Sequence, residues 1–490
     1  MQALCRRLLS VLFVASLGLA APSPGAHKVK ETVNPPRGWV KDGIPSSDHT
    51  IVLRIGLPQP NFSVLENHLY EVSDPDHPRY GAHLSKEEVE SLIAPHPESI
   101  NVVDEWLDAH GITEDNFVRS PAKDWVTLTI PIHLAEKMLD TKYNVWKNAN
   151  TGEQIVRTTH YSLPEKLHEH IEVVQPTTMF AQFKAMRSTI SWPDETEEIS
   201  VAQFKGPTTT TTKPPASVVP VDASCNTTIT LKCLQQLYNF VDYKPTAKGN
   251  SIGITGYLEE FANIQDLQSF YADQRPEALG STFKFVSVKG GLNNQTLEES
   301  GAEAALDVQY AFGLAYPIPG TFYSTAGRPP FKPDLVTPDN TNEPYANWLD
   351  YVLYHPNPPL SISTSYGDDE QTVPESYARR TCASFAQLGA RGVSLLFSSG
   401  DWGVGDNNPD PATHECYTND GKNKARFIPL FPASVTSVGG TVHYPEEAVS
   451  RFFSGGGFSD YFPRPLYQQL AVGNYVNSLP KGIYKGLYNP

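Results

Sequence analysis

The 490 residues carry 54 acidic against 38 basic side chains, a formal net charge of −16 with histidine neutral, which argues against nucleic acid or an anionic membrane as the main partner. A chain this long exceeds one ordinary domain, so two or three are expected, with room for a large core. After the N-terminal stretch no apolar run reaches about 18 residues, so no membrane-spanning helix is predicted.

Residues 1–20 open with Arg6 and Arg7, continue in an apolar run from Leu8 to Leu19 and end at the small-x-small site Gly18-Leu19-Ala20. This pattern predicts a secretory signal peptide, with Cys5 leaving in it, and hence an extracellular protein. Sequons at Asn61, Asn226 and Asn294 fit a secretory route as glycosylation sites.

Residues 21–190 read as a compact α+β domain. Ile51–Ile55 and Val126–Ile130 alternate like half-buried strands. Ser85-Lys-Glu-Glu88 is a capping box leading into a helix through Val89 and Ile93. Strand, helices, strand, helix and strand in that order predict a ferredoxin-like α/β plait. The stretch holds no nucleophile motif, metal cluster or Gly-rich phosphate loop, so its expected role is to assist or restrain the rest of the chain. His168-Glu-His170 has neither CxxC nor HExxH company and is read as a solvated helix end, not a zinc site.

Residues 191–221 contain Gly206-Pro-Thr-Thr-Thr-Thr-Thr-Lys-Pro-Pro215, a stiff extended segment with nothing to bury. They are predicted to be a linker and processing zone. From residue 222 the pattern changes. Apolar runs at 251–255, 283–287, 360–364, 392–397 and 435–438 alternate with helical stretches at about 262–273, 302–315, 342–354 and 371–390. That alternation predicts a doubly wound, mostly parallel sheet whose ligand site lies at the carboxyl ends of the strands. Cys225, Cys233, Cys382 and Cys416 allow three pairings; Cys225 with Cys233 closes a short loop and is the preferred bridge.

The stretch Gly301-Ala-Glu-Ala-Ala-Leu-Asp-Val-Gln-Tyr310 places Glu303, Asp307 and Tyr310 at i, i+4 and i+7 of a predicted helix, on one face. No Lys, Arg or His occurs between Lys289 and Arg328. Two carboxylates one turn apart on apolar surface repel, and desolvation raises at least one pKa, as an acid/base pair requires. The alternative is that Ser300-Gly-Ala-Glu303 is a capping box in which Glu303 only satisfies a backbone donor. Similarly, Asp401 ends a buried run in Ser399-Gly-Asp-Trp-Gly403, either as a turn aspartate bonding its own backbone or as an acid at the active edge of the sheet.

Glu303-Ala-Ala-Leu-Asp307, Ser365-Tyr-Gly-Asp-Asp-Glu370, Ser399-Gly-Asp-Trp-Gly403, Phe431-Pro-Ala-Ser434 with Val438-Gly-Gly-Thr441, and Ser454-Gly-Gly-Gly-Phe-Ser459 occur in order. Together they resemble the sedolisin family of serine-carboxyl peptidases, and within it fungal secreted tripeptidyl peptidases. The resemblance spans about 222–470, and the domain before the linker resembles that family's activation propeptide.

It implies a subtilisin-like sheet in which Glu303 is the general base, Asp307 orients it and Asp401 donates to the oxyanion. Ser365, Gly367, Ser454, Gly455 and Gly456 would line the substrate. Polypeptide substrates and the chain's own propeptide are the implied partners. The general base and the oxyanion donor both suit work at acidic pH. The family's Gly-Thr-Ser-Ala-Ser nucleophile motif and its calcium loop fall outside the 490 residues. The expectation is therefore a peptidase domain, 222–490, truncated before its nucleophile and inactive as it stands. Gly249-Asn-Ser-Ile-Gly253 precedes a strand instead of ending one and is rejected as an esterase elbow. An acid endopeptidase of the same family and a non-catalytic secreted peptide-binding protein are the rival readings.

Overall fold

A computed structural model describes residues 26–36, 38–149, 152, 154–180, 184–185, 220–257, 260–326, 345–401, 403–405, 416–418, 420, 422–432, 434–448 and 454–489. The predicted signal peptide and the Thr/Pro segment lie outside the described residues.

The N-terminal unit is built from β1 (Thr50–Gly56), α1 (Phe62–Ser73), α2 (Lys86–Ile93), α3 (Pro97–Asp108), β2 (Phe117–Arg119), β3 (Trp125–Pro131), α4 (Ile132–Leu139) and β4 (Val173–Gln175). Its four-stranded sheet runs β2-β3-β1-β4 with every neighbour antiparallel, the order of a ferredoxin-like plait, and two smaller antiparallel sheets, of two and three strands, accompany it. Strand alternation explains the core: Ile51, Leu53 and Ile55 of β1 and Val126, Leu128 and Ile130 of β3 face α3 and α4 through Val103, Leu107, Ala135 and Leu139. The Ser85 capping box opens α2, with the Ser85 hydroxyl accepting from the Glu88 N–H at 3.2 Å and the Glu88 carboxylate accepting from the Ser85 N–H at 2.7 Å.

In the second unit the chain runs α5 (Leu231–Leu237), β5 (Ile252–Gly256), α6 (Ile264–Gln274), β6 (Lys284–Val288), α7 (Ala302–Ala315), β7 (Gly320–Thr325), α8 (Tyr345–Tyr354), β8 (Ser361–Thr364), β9 (Tyr366–Asp369), α9 (Glu375–Ala390), β10 (Ser394–Ser398), β11 (Thr436–Val438) and α10 (Gln469–Ser478). Six strands form one parallel sheet in the order β6-β7-β5-β8-β10-β11. One face packs on α6 and α7 through Ile254, Leu267, Val308, Phe312 and Phe322. The other packs on α8 and α9 through Trp348, Ile362, Phe385, Leu388 and Phe397. Strand β7, buried at every position, was not anticipated from the sequence. Gly-Thr-Phe-Tyr-Ser-Thr has only two large apolar residues, and its buried polar Thr321, Ser324 and Thr325 mask the signal. A disulfide joins Cys225 to Cys233 of α5.

The outer face of the plait explains why Arg54 and Trp125, which alternate away from the first core, are still covered: α8 and α9 of the second unit lie on them. Arg380 of α9 donates to the Asp124 carboxylate at 2.7 Å, the Glu172 carboxylate at 2.8 Å and the Leu57 and Asp124 carbonyls at 2.8 and 2.9 Å. Its guanidinium sits 4.8 Å from the Trp125 ring centre. Arg54 donates to Asp350 of α8 at 2.7 Å. Leu69 of α1 touches α9 at Gly389, where a Cβ would come within 2.9 Å of it.

Candidate active site

Helix α7 begins at Gly301, whose extended backbone (φ −80°, ψ 130°) offers no side-chain cap. Ser300 instead donates its hydroxyl to Asp266 at 2.8 Å. The capping box considered for Ser300 and Glu303 therefore does not form, and Glu303 is released from the helix start to face the sheet, only 5% exposed. The Glu260 carboxylate packs against Gly301 so closely that a Cβ there would lie 2.1 Å from it, which is why glycine stands at this position.

Asp307, one turn on, receives the Ser365 hydroxyl at 3.0 Å. Ser365 is buried in the junction between β8 and β9, so the carboxyl ends of the central strands converge on the acid pair, as expected of an open α/β sheet. Tyr310, the third residue expected on this face, goes elsewhere. It donates to the Ile229 carbonyl at 3.0 Å and stacks at an angle on Phe270.

Asp401 follows β10 by three residues, in a turn made possible by Gly400 at φ 83°. Its Oδ2 is buried with no hydrogen-bond partner among the described residues. The turn is braced from outside. Gly455 donates its N–H to the Gly400 carbonyl at 2.8 Å and Gly456 to the Gly403 carbonyl at 3.1 Å. A Cβ on Gly455 would lie 1.6 Å from the Ser399 carbonyl oxygen. The Ser454 hydroxyl accepts from the Gly440 N–H at 2.9 Å and lies 3.3 Å from the Ser399 hydroxyl. Gly455 and Gly456 line a cleft of about 540 Å³ together with Ser399, so the segment that braces the Asp401 turn also walls this cleft.

The electrostatics of the three acids share one sign. Burial pushes Glu303 up to about 8, with Asp307, Asp401 and Glu260 adding repulsion and the Ser365 hydroxyl opposing it. Asp307 is likewise raised, to about 7, by burial and by Glu260, again against Ser365. Burial raises Asp401 to about 6. Such a cluster stores protons at mild pH and can accept, return or donate them to a group placed among it.

Gly367 lies on β9, and there the backbone of Lys184–Ala185 runs antiparallel, Lys184 opposite Gly367 and Ala185 opposite Tyr366. The other edge of β9 pairs with Leu430–Phe431. Extended chain can thus add to this strand edge immediately beside the acid pair. Beneath it, Tyr366 donates to the Tyr257 carbonyl at 3.2 Å, and Tyr345 donates to the Tyr366 carbonyl.

Two participants are not evident from the sequence. Glu260 follows β5, and its position just past a parallel strand was the available signal. The contact between Ser365 and Asp307 spans 58 positions and has no local signature. Of the sequon asparagines, Asn226 accepts from the Tyr444 N–H at 2.8 Å, Asn294 accepts from Thr296, and Asn61 precedes α1. His168, at the end of a short 3-10 turn, bonds backbone carbonyls of Lys28 and Leu163. Among the described residues no three His, Cys, Asp or Glu side chains converge as a metal site.

Comparison with known proteins bears on this arrangement. Residues 37–180 match the family model of the pro-kumamolisin activation domain, which covers the plait. Across 99% of its length the chain is 39% identical to the probable tripeptidyl-peptidase SED2 of Arthroderma benhamiae, covering 79% of that protein. It is 36% identical to tripeptidyl-peptidase SED4 of Arthroderma otae over 99% of the chain and 78% of the relative. Among solved structures, Pseudomonas sedolisin complexed with two molecules of pseudo-iodotyrostatin aligns over 50% of this chain and 66% of its own, at 20% identity and a TM-score of 0.34. The identity to these relatives along nearly the whole chain, with an activation domain of the same kind in front, establishes that the chain belongs to the tripeptidyl-peptidase-like sedolisin family of serine-type peptidases.

Proposed function

We propose that the protein is a secreted, acid-acting peptidase that releases tripeptides from the N-termini of polypeptides. In this reading Glu303 is the general base toward a serine hydroxyl, Asp307 orients and charges it, and Asp401, while protonated, donates to the oxyanion. A carboxylic acid can donate only when it keeps its proton, and burial of Asp401 extends the pH range over which it does. The observation that carries the reading is the pairing of buried Glu303 with half-buried Asp307, one turn apart on α7 and acted on by further acids.

The plait is proposed to be the propeptide, removed at the Thr/Pro zone so that N-terminal sequencing of secreted material starts between about 185 and 225, since exposed linkers are where processing concentrates. Substrate would add as a strand at the β9 edge, where Lys184–Ala185 now lies.

The family's Gly-Thr-Ser-Ala-Ser motif does not occur in the 490 residues, and base, orienter and oxyanion donor cannot form an acyl-enzyme alone. These residues by themselves are expected not to hydrolyse peptides. The test is acid incubation of the protein, with and without a nucleophile-bearing C-terminal segment of a relative, on peptides with free and blocked N-termini. Tripeptides released only from free N-termini, and only with the segment present, support the reading. Cleavage inside blocked peptides would instead make it an endopeptidase. Undiminished turnover by Glu303→Gln in the active form would remove Glu303 from the chemistry. A second reading, a secreted protein that binds peptides without cutting them, is favoured by the same β9 edge. It is supported if peptide binds at that edge and no supplied segment yields product.

A further inference from the structure

We propose that Glu370 is a positioning residue: it grips both segments that brace the Asp401 turn and so fixes where that acid stands toward Glu303. The catalytic consequence rests on the peptidase reading; the geometry does not. Glu370 follows β9 directly, at the end of the Ser365–Glu370 motif, and is 1% exposed. A carboxylate so far from water needs its hydrogen bonds replaced by the protein. Its two oxygens are answered separately, Oε1 by the Ser459 hydroxyl and Oε2 by the Asp460 N–H at 2.7 Å. The Glu370 N–H in turn donates to the Pro429 carbonyl at 2.9 Å.

Each contact leads to the Asp401 turn within a few residues. Ser459 follows Gly455 and Gly456, whose N–H groups hold the Gly400 and Gly403 carbonyls. Pro429 follows Ile428, whose N–H donates to the Val404 carbonyl at 2.9 Å. Both supports of the turn therefore run back to one buried residue at the end of β9, the strand at whose edge Lys184–Ala185 lies. The outer side of the same loop is tied separately, by Arg426 donating to the Asp460 carboxylate at 2.9 Å and by the Tyr461 phenol donating to the Val373 carbonyl at 2.7 Å. The position of Glu370 calls for a carboxylate in particular. Ser459 Oγ accepts from the Tyr461 and Phe462 N–H groups at 3.1 and 3.0 Å, so both its lone pairs are taken and its proton points outward. A carboxylate accepts that proton and the Asp460 N–H together. A glutamine of the same shape cannot, because its NH2, turned either way, meets a donor.

The test uses the full 490-residue chain and reads the Asp401 turn itself. With the Asp carboxyls labelled by carbon-13, Asp401→Asn identifies the signal of Asp401, and its titration midpoint and the deuterium exchange of the Gly455, Gly456 and Ile428 amides are followed in each variant. Glu370→Gln is expected to let water reach Asp401, so that its midpoint falls from about 6 by about one pH unit toward the ordinary aspartate value. The three amides are expected to exchange about tenfold faster, the effect of losing one hydrogen bond. Ser459→Ala removes one of the two carboxylate contacts and is expected to move both readouts less, in the same direction. Arg54→Gln, which loosens the contact between the two units, is expected to leave them at the wild-type values. An Asp401 midpoint unmoved in Glu370→Gln, or moved as far by Arg54→Gln, would overturn the proposal, since a merely structural glutamate lowers the melting temperature without acting on Asp401 in particular. Thermal melts verify folding, and where Glu370→Gln does not fold, Ser459→Ala decides, an unmoved midpoint there counting against the brace. In an active form Glu370→Gln is expected to lower kcat by about ten- to a hundredfold with KM little changed, the effect of a small displacement of a catalytic group. Undiminished hydrolysis by Glu303→Gln would sink the peptidase reading and leave the brace, read from Asp401 and amide exchange, standing.

Discussion

Arg380 on α9 and Glu303 on α7 are both withdrawn from water, 3% and 5% exposed, but their surroundings have opposite designs. Around Arg380 the two terminal nitrogens of the guanidinium are answered by two carboxylates and two carbonyls, and its plane by the face of Trp125. Around Glu303 the charges among the described residues are negative, and the Ser365 hydroxyl works against them. A buried ion answered by opposite charge joins two units without altering its own proton affinity in a useful way. A buried acid among acids holds a proton it would lose in water. The contrast separates a structural use of buried charge from a chemical one, and it does so without reference to any relative.

Breaking the compensated cluster is expected to have the largest effect on stability. Arg380→Ala leaves Asp124, itself buried, facing a neutral cavity, and should lower the free energy of unfolding by about 3–5 kcal/mol. Denaturant melts of Arg380→Ala and of Arg380→Ala with Asp124→Leu would measure it. The double variant should recover much of the loss, because removing both charges removes the desolvation penalty as well.

The uncompensated cluster should respond in the reverse sense. Glu303 has a folded pKa raised above its unfolded value, so folding takes up protons. Its stabilising contribution is complete below the unfolded value of about 4 and is lost as pH rises through about 8. Asp307 and Asp401 act in the same direction. The chain should thus melt higher at about pH 4 than at about pH 8 on account of this site. Glu303→Gln should raise stability by about 2 kcal/mol at the alkaline end of that window and change it little at the acid end. A stability gain that does not depend on pH would show that the acid is not strained in the native state.

Asp350 lies between the two cases and offers the finest discrimination. Burial raises its pKa although Arg54 works against the rise, so compensation there is partial. Arg54→Gln should cost about 1–2 kcal/mol at neutral pH and less in acid, where Asp350 becomes neutral and no longer needs the cation. Equal losses at both pH values would place Arg54 with packing on Trp125, 5.0 Å from its guanidinium, instead of with charge.

Much of the site was legible because its signals are local. Helical spacing brought Glu303 and Asp307 to one face, and the Gly after β10 marked Asp401 as the end of a strand. What the spacing could not reveal was that Gly301 leaves α7 uncapped and so frees Glu303 from the bland role. Nor could it reveal that Ser454, Gly455 and Gly456 brace the Asp401 turn. Those outcomes depend on close approaches between segments far apart in the chain, such as Gly455 on Ser399 and Glu260 on Gly301, which leave no periodic trace.

The sequence by itself determined the two-unit plan, most strands and helices of both, and the identity of the three acids, because hydrophobic period, turn residues and the lack of nearby cations are properties of short windows. Only the tertiary structure decided that β7 is a strand, that Arg54 and Trp125 are covered by a second unit, and that Ser365 and Glu260 join the acid pair. Burial and hydrogen bonding between distant segments are set by how sheets and helices close on one another, and the proton affinity of a carboxyl depends on that closure and not on its place in the chain.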